Sequence, residues 1–161
     1  LTAAQQQEES MLKSAIALGA LLFTVGSPSM AAESAASLVT ELDAQFDKVW
    51  NTLDAHKLSE QFAADAVVLP PSAPAGTGSQ AVLAFFEPLF KNKWSDHKLE
   101  PVTAQQMGDS TIVAASHWSA NLTDASGKTA RYHGDVAQVF EKAGGKWKLK
   151  LASWNVLPDA K

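Results

Sequence analysis

Apolar residues return at helical spacing in the segment that opens the fold. Leu38, Leu42, Phe46, Val49, Trp50 and Leu53 follow one another at intervals of 4, 4, 3, 1 and 3. That lays one apolar stripe along a helix over residues 34 to about 55. Glu41, Asp43, Asp47, Lys48 and Asp54 fill the other sides. A short second helix, about 58–64, carries Leu58 and Phe62 on one face. The valines of residues 66–69 read as a short strand, and Pro70, Pro71, Pro74, Gly76 and Gly78 as a loop. Ser79 is a suitable N-cap for a third helix with Val82, Phe85, Phe86, Leu89 and Phe90 turned inward. Pro88 lacks an amide proton and collides with the preceding turn, which predicts a kink or an early end near Glu87.

From Ser95 the period changes to two. Residues 97–106 form a modest strand pattern. Residues 111–122 form a clearer one, with Ile112, Ala114, Ser116, Trp118, Ala120 and Leu122 alternating against Val113, Ala115, His117, Ser119 and Asn121. The sequence DASGK turns the chain, residues 129–141 return, Ala143-Gly144-Gly145 turns again, and residues 146–156 close. Helices followed by a meander predict an α+β domain, its helices packed on one face of a curved antiparallel sheet. The space on the concave side of such a sheet suits a small ligand.

Composition narrows the setting. The 161 residues are 46% apolar with a net charge of −4 and no long basic run. One core is within reach, while nucleic acid and anionic membrane are poor partners. With no cysteine, disulfides, thiolate metal sites and a cysteine nucleophile are excluded. Met11-Leu12-Lys13, the apolar run AIALGALLFTV and the small-residue stretch SPSMAAES follow in order. The run is too short to span a bilayer, and the order is that of a secretory signal (residues 11–31) cleaved after Ala31 or Ala32. Residues 1–10 read as an upstream, non-native segment. Removing residues 1–31 takes Lys13, Glu8 and Glu9 from 13 basic and 17 acidic residues, leaving 12 and 15. The expectation is one domain over residues 34–157, periplasmic or secreted, with no membrane association after signal removal.

Three stretches, FAADAVVLPP followed by GTGSQAVLAFF, the long first helix, and GDVAQVFEKAGGKWKLKLASWN, resemble the nuclear-transport-factor-2-like superfamily in its SnoaL-like and ketosteroid-isomerase-like branch. The resemblance covers about 34–157. It implies a cone-shaped, cystatin-like α+β barrel with one deep apolar pocket, often a homodimer through the outer sheet face. Its members include enzymes and pure binding modules, so fold alone does not give function. Steroid isomerases of this branch use a carboxylate base, a tyrosine and a protonated aspartate. The family pattern puts Pro70 at the base and Phe46 at the tyrosine. The third position falls on Val136 or Asp135, depending on where the last hairpin takes its extra residue. Proline cannot take a proton and phenylalanine has no hydroxyl, so the resemblance argues against isomerase chemistry.

The remaining candidates are few. His117, His133 and Asp135 fall on adjacent strands and could share a face, as a cluster that binds a metal or transfers protons or, the favoured reading, as surface residues on the outer side. Arg131 could anchor a carboxylate or form a surface ion pair. No metalloprotease-type histidine spacing occurs among His56, His97, His117 and His133, and neither metal nor cofactor is expected. Tyr132 could donate a hydroxyl into a pocket or pack in the core. The resemblance places Ser116, Trp118, Ala152 and Trp154 facing the pocket, with Phe46 and Trp50 closing it from the helix and Gln138 adding a polar contact. The favoured expectation is a small apolar or amphipathic ligand held without steroid-isomerase chemistry. The alternatives are an isomerase, cyclase or dehydratase with relocated acid/base residues, or a dimeric accessory domain.

Overall fold

The structure, a computed structural model, describes residues 28–158. The expected upstream segment and the apolar run expected to belong to a secretory signal lie outside them. The elements in chain order are α1 (Pro28–Trp50), α2 (Ala55–Ser59), β1 (Phe62–Leu69), β2 (Gly76–Thr77), α3 (Ser79–Leu89), β3 (Lys93–Met107), β4 (Thr111–Thr123), β5 (Thr129–Ala143) and β6 (Lys146–Trp154). The six strands form one curved, unclosed sheet in the order β2-β1-β6-β5-β4-β3. All neighbours are antiparallel except β1 and β6, which run parallel. This is the expected α+β architecture.

Several boundaries differ from the sequence reading: the first helix runs from Pro28 to Trp50 instead of 34 to about 55, and the other two helices shift for local reasons. The second helix starts earlier, because the Asp54 carboxylate accepts the Lys57 amide at 3.0 Å and caps it. It ends at Ser59, and the residues read as its tail open β1, where Phe62 pairs with Leu149 of β6. The third helix begins after Gly78, whose φ of 81° suits glycine, so Ser79 is its first residue and not its cap. That helix also runs through Pro88 to Leu89. Proline that close to the end interrupts only the final turn, which limits its cost.

The core lies between the concave face and the helices. Val39 and Leu58 are fully buried there, with Val82 from α3 and Ile112 from β4. Strand alternation turns Ile112, Ala114 and Ser116 of β4 and Val136, Gln138 and Phe140 of β5 inward.

β3 is a long edge strand, and edges expose unpaired amides and carbonyls. Its register against β4 slips between Ser95 and Lys98 and again between Pro101 and Thr103, one extra β3 residue each time. The first bulge puts Asp96 at a φ of 53° and takes His97 out of the ladder. α1 repairs the gap. Asn51 Oδ1 accepts the His97 amide at 2.8 Å, and Asn51 Nδ2 donates to the His97 carbonyl at 3.0 Å. Asp47 Oδ2 accepts the Leu99 amide at 3.0 Å. Asn51→Ala leaves both His97 backbone groups without their partner and is expected to lower unfolding stability by about 2–3 kcal/mol. Urea denaturation checks this, and a loss under about 0.5 kcal/mol contradicts it.

Candidate functional site

A cavity of about 330 Å³ lies between the concave face, α1 and α3. At roughly 20–30 Å³ per non-hydrogen atom it has room for about a dozen such atoms. Phe46 and Trp50 close it from α1, Phe85, Phe86 and Leu89 from α3, and Trp118, Tyr132, Gln138 and Trp154 from the sheet. Its floor holds Phe62, Leu149 and Ala152, all nearly inaccessible. The exposed lining residues mark its mouth: Pro71, Ser72 and Ala73 after β1, Tyr132 of β5, and Val156.

The walls are packed ring on ring. Phe85 meets Trp154 edge-on with centroids 5.2 Å apart, and Trp50 meets Phe90 likewise at 5.2 Å. Such pairs hold their geometry beyond the area they bury. Trp118 is fixed by its indole N–H, which donates to the Asn155 carbonyl at 2.9 Å. That carbonyl sits so close to β5 that only glycine fits opposite. A Cβ on Gly134 would stand 2.2 Å from Asn155 O and 2.7 Å from Trp118 Nε1.

Of the residues expected to face a pocket, Phe46, Trp50, Trp118, Tyr132, Gln138, Ala152 and Trp154 line this cavity. Ser116 does not. It points to the concave side but is 1% exposed, and its hydroxyl is bound within the protein at 2.7 Å to Asp43 Oδ2 and 3.1 Å to Gln138 Oε1. The acid/base candidates lie elsewhere. His117 and Asp135 are directly opposed across β4 and β5, their side chains 2.7 Å apart and 63% and 48% exposed. His133 follows the same alternation two residues before Asp135. This cluster is on the convex face because Trp118, Gly134 and Val136, their chain neighbours, occupy the concave one. Arg131 bonds Ser119 at 2.7 Å on that outer side. Of the two positions open to the third isomerase group, Val136 lines the cavity and Asp135 does not.

The sequence reading assigned Asp43 and Asp47 to the polar sides of the first helix and gave His97 no role. They form the polar part of the site. Asp43, 1% exposed, accepts from Ser116 and, at 2.9 Å, from Gln138 Nε2. Asp47 Oδ1 is 2.7 Å from Nδ1 of His97, which lines the cavity. The His97 ring stacks on Trp50 at 4.4 Å with planes 23° apart. The available signal was the spacing. Asp43, Asp47 and Asn51 recur at i, i+4 and i+8, one row along the helix next to Phe46 and Trp50.

Comparison with known proteins follows the same lines. Residues 42–149, more than half of the chain, match the SnoaL-like domain. The chain belongs to the SnoaL-like domain family. Among solved structures, this SnoaL-like chain is similar to a ketosteroid isomerase-like protein from Erwinia carotovora atroseptica (TM-score 0.68, 15% identity, 76% of this chain and 96% of that one). It is similar to an NTF2-like protein with a cystatin-like fold from Novosphingobium aromaticivorans (0.67, 18%, 88% and 94%). A nuclear transport factor 2-like superfamily protein from Salmonella enterica is also similar (0.65, 16%, 80% and 95%). At these identities the likeness is one of fold. A search of curated proteins gave no significant match.

Burial pushes the Asp43 carboxyl above its ordinary value of 3.8, opposed by the hydrogen bonds from Ser116 and Gln138 and reinforced by the Asp47 charge. The native state therefore keeps this proton to a higher pH than the unfolded chain. Its contribution to stability is complete below 3.8 and is lost as pH rises through the raised native value. Asn at this position can close the same ring, donating to Ser116, which donates to Gln138, which donates back. The stability of Asp43→Asn relative to wild type is expected to increase as pH rises through that window. Urea unfolding at a series of pH values reads this, and a difference that is flat or shrinking contradicts the raised pKa.

Proposed function

We propose that this SnoaL-like domain works outside the cytoplasm, in the periplasm or secreted, and holds a small apolar or amphipathic molecule in its cavity without steroid-isomerase chemistry. The observation that carries the reading is the aromatic cavity itself, preformed and open at one end. Burying a flat apolar molecule there gains about 25 cal/mol for each Å² taken from water, and rigid walls keep the ordering cost low. No carboxylate lines the cavity among the described residues, and Phe46 and Val136 present only hydrocarbon to it. An acid/base role for His117, His133 and Asp135 loses support because that cluster faces away. Cleavage after Ala31 or Ala32 would spare Ala35 and Val39, both buried in the core.

The convex face supports a homodimer. Register aligns Val67, Leu151, Val139 and Val113 in one row across β1, β6, β5 and β4, with Ala137 and Ala115 paired beside it. Val113 is 40% exposed in the single chain. An apolar row flanked by the polar His117–Asp135 pair is what a second copy would cover.

Native mass spectrometry of protein recovered from the host's periplasm or medium tests the whole reading. The expected spectrum shows dimers of a subunit starting at Ala32 or Glu33, carrying a bound molecule on the order of 200 Da. The adduct should vanish in Ala152→Phe, which fills the cavity floor. A full-length subunit contradicts export, a monomer contradicts the interface, and an adduct that survives Ala152→Phe contradicts the cavity as its site.

A further inference from the structure

The cavity has one polar pole. His97 is buried, its side chain 7% exposed, and three of its sides are committed. Nδ1 meets Asp47, one ring face stacks on Trp50, and Phe46 lies tilted against it with centroids 5.9 Å apart. The other Asp47 oxygen accepts from Leu99, so both carboxylate oxygens are acceptors. A carboxylate can only accept, so the proton of the Asp47–His97 bond sits on Nδ1. In its neutral form the ring then carries a lone pair at Nε2.

No group of the protein, among the described residues, hydrogen-bonds that nitrogen. Nor is it sealed in. The one fully enclosed side-chain nitrogen or oxygen without a partner among the described residues is Trp94 Nε1. His97 lines the cavity. Two other polar groups of the lining are occupied. The Gln138 amide bonds Asp43 and Ser116, and the Trp118 indole bonds Asn155. The Tyr132 hydroxyl belongs to a residue at the mouth, 37% exposed.

We propose that His97 Nε2 is the recognition point of the cavity and accepts a hydrogen bond from the hydroxyl of a flat aromatic ligand, a phenol-like molecule with its rings among the tryptophans. This rests on the ligand-binding reading above and adds the chemical class. Asp47 is a positioning residue. Its bond to Nδ1 fixes the ring's tautomer, and the Trp50 stack fixes the plane of the ring. A ligand that fills the cavity takes this acceptor out of water, at a desolvation cost that a donor on the ligand offsets. An aromatic ligand without a donor fills the same space but leaves the cost in place.

Isothermal titration of the purified wild-type chain with 2-naphthol and with 2-methoxynaphthalene tests this. The ether is the more apolar of the two, so burial alone would favour it. The expected result is the reverse, with the naphthol bound about tenfold tighter, the worth of one hydrogen bond to a buried acceptor. In His97→Phe the two should bind within twofold of each other. Equal binding by wild type, or a naphthol preference that survives His97→Phe, overturns the proposal while leaving the ligand-binding reading intact. Binding of neither compound by wild type overturns both. The nitrogen NMR signal of His97 Nε2 gives a readout that needs no variant. It should move on addition of naphthol and not of the ether, and a signal that ignores naphthol at saturation also overturns the proposal.

Discussion

One face of the first helix holds the structure's open edge. Asp43 and Asp47 on α1 and Asn51 just past its end stand a turn apart and reach three strands. Asp43 bonds Ser116 on β4 and Gln138 on β5, while Asp47 and Asn51 bond the backbone of β3 at Leu99 and His97. A 15-residue edge strand with two register slips would otherwise present unpaired backbone to water. Here a helix supplies side-chain partners in place of a seventh strand. The arrangement is asymmetric in energy. Each bond made is worth about 1 kcal/mol, but each buried group left unmade costs about 1–3, so the row acts together or not at all.

The same constraint shapes the cavity. Phe46 and Trp50 lie beside the polar row on the helix, so fixing Asp47 and Asn51 to β3 also fixes two aromatic walls over the concave face. The bulge that needs Asn51 is the bulge that turns His97 inward, where Asp47 takes its Nδ1. A backbone repair and a polar side chain in the cavity wall thus come from one irregularity. In this SnoaL-like domain Phe46 and Val136 present only hydrocarbon there, which leaves a hollow walled mainly by aromatic and aliphatic side chains.

The sequence carried the architecture well because periodicity reports burial directly. The stripe from Leu38 to Trp50, the alternation of β4 and β5 and the glycine turns between strands all describe local geometry, and the structure repeats them. The aromatic wall was legible for the same reason, once the inward side of each strand was known. The polar site was not. Asp43 and Asp47 look like solvated helix residues until a sheet is laid against them, and His97 opens a weak strand pattern in which nothing announces a bulge. Ser116 was correctly placed on the inward side, but its partner Asp43 lies 73 residues away, a distance over which periodicity says nothing. The histidines that attracted notice, His117 and His133, stood out because β4 and β5 read so clearly as neighbours, and the alternation that made them legible also turns them outward.

Native-state hydrogen exchange at the His97 and Leu99 amides tests the helix-to-edge clamp most directly. Both amides donate to α1 side chains and not to a neighbouring strand. If the clamp holds the edge, they exchange only in the global unfolding reaction, as slowly as the central strands. Exchange at the fast rate of a frayed edge, with β5 and β6 still protected, would contradict the account.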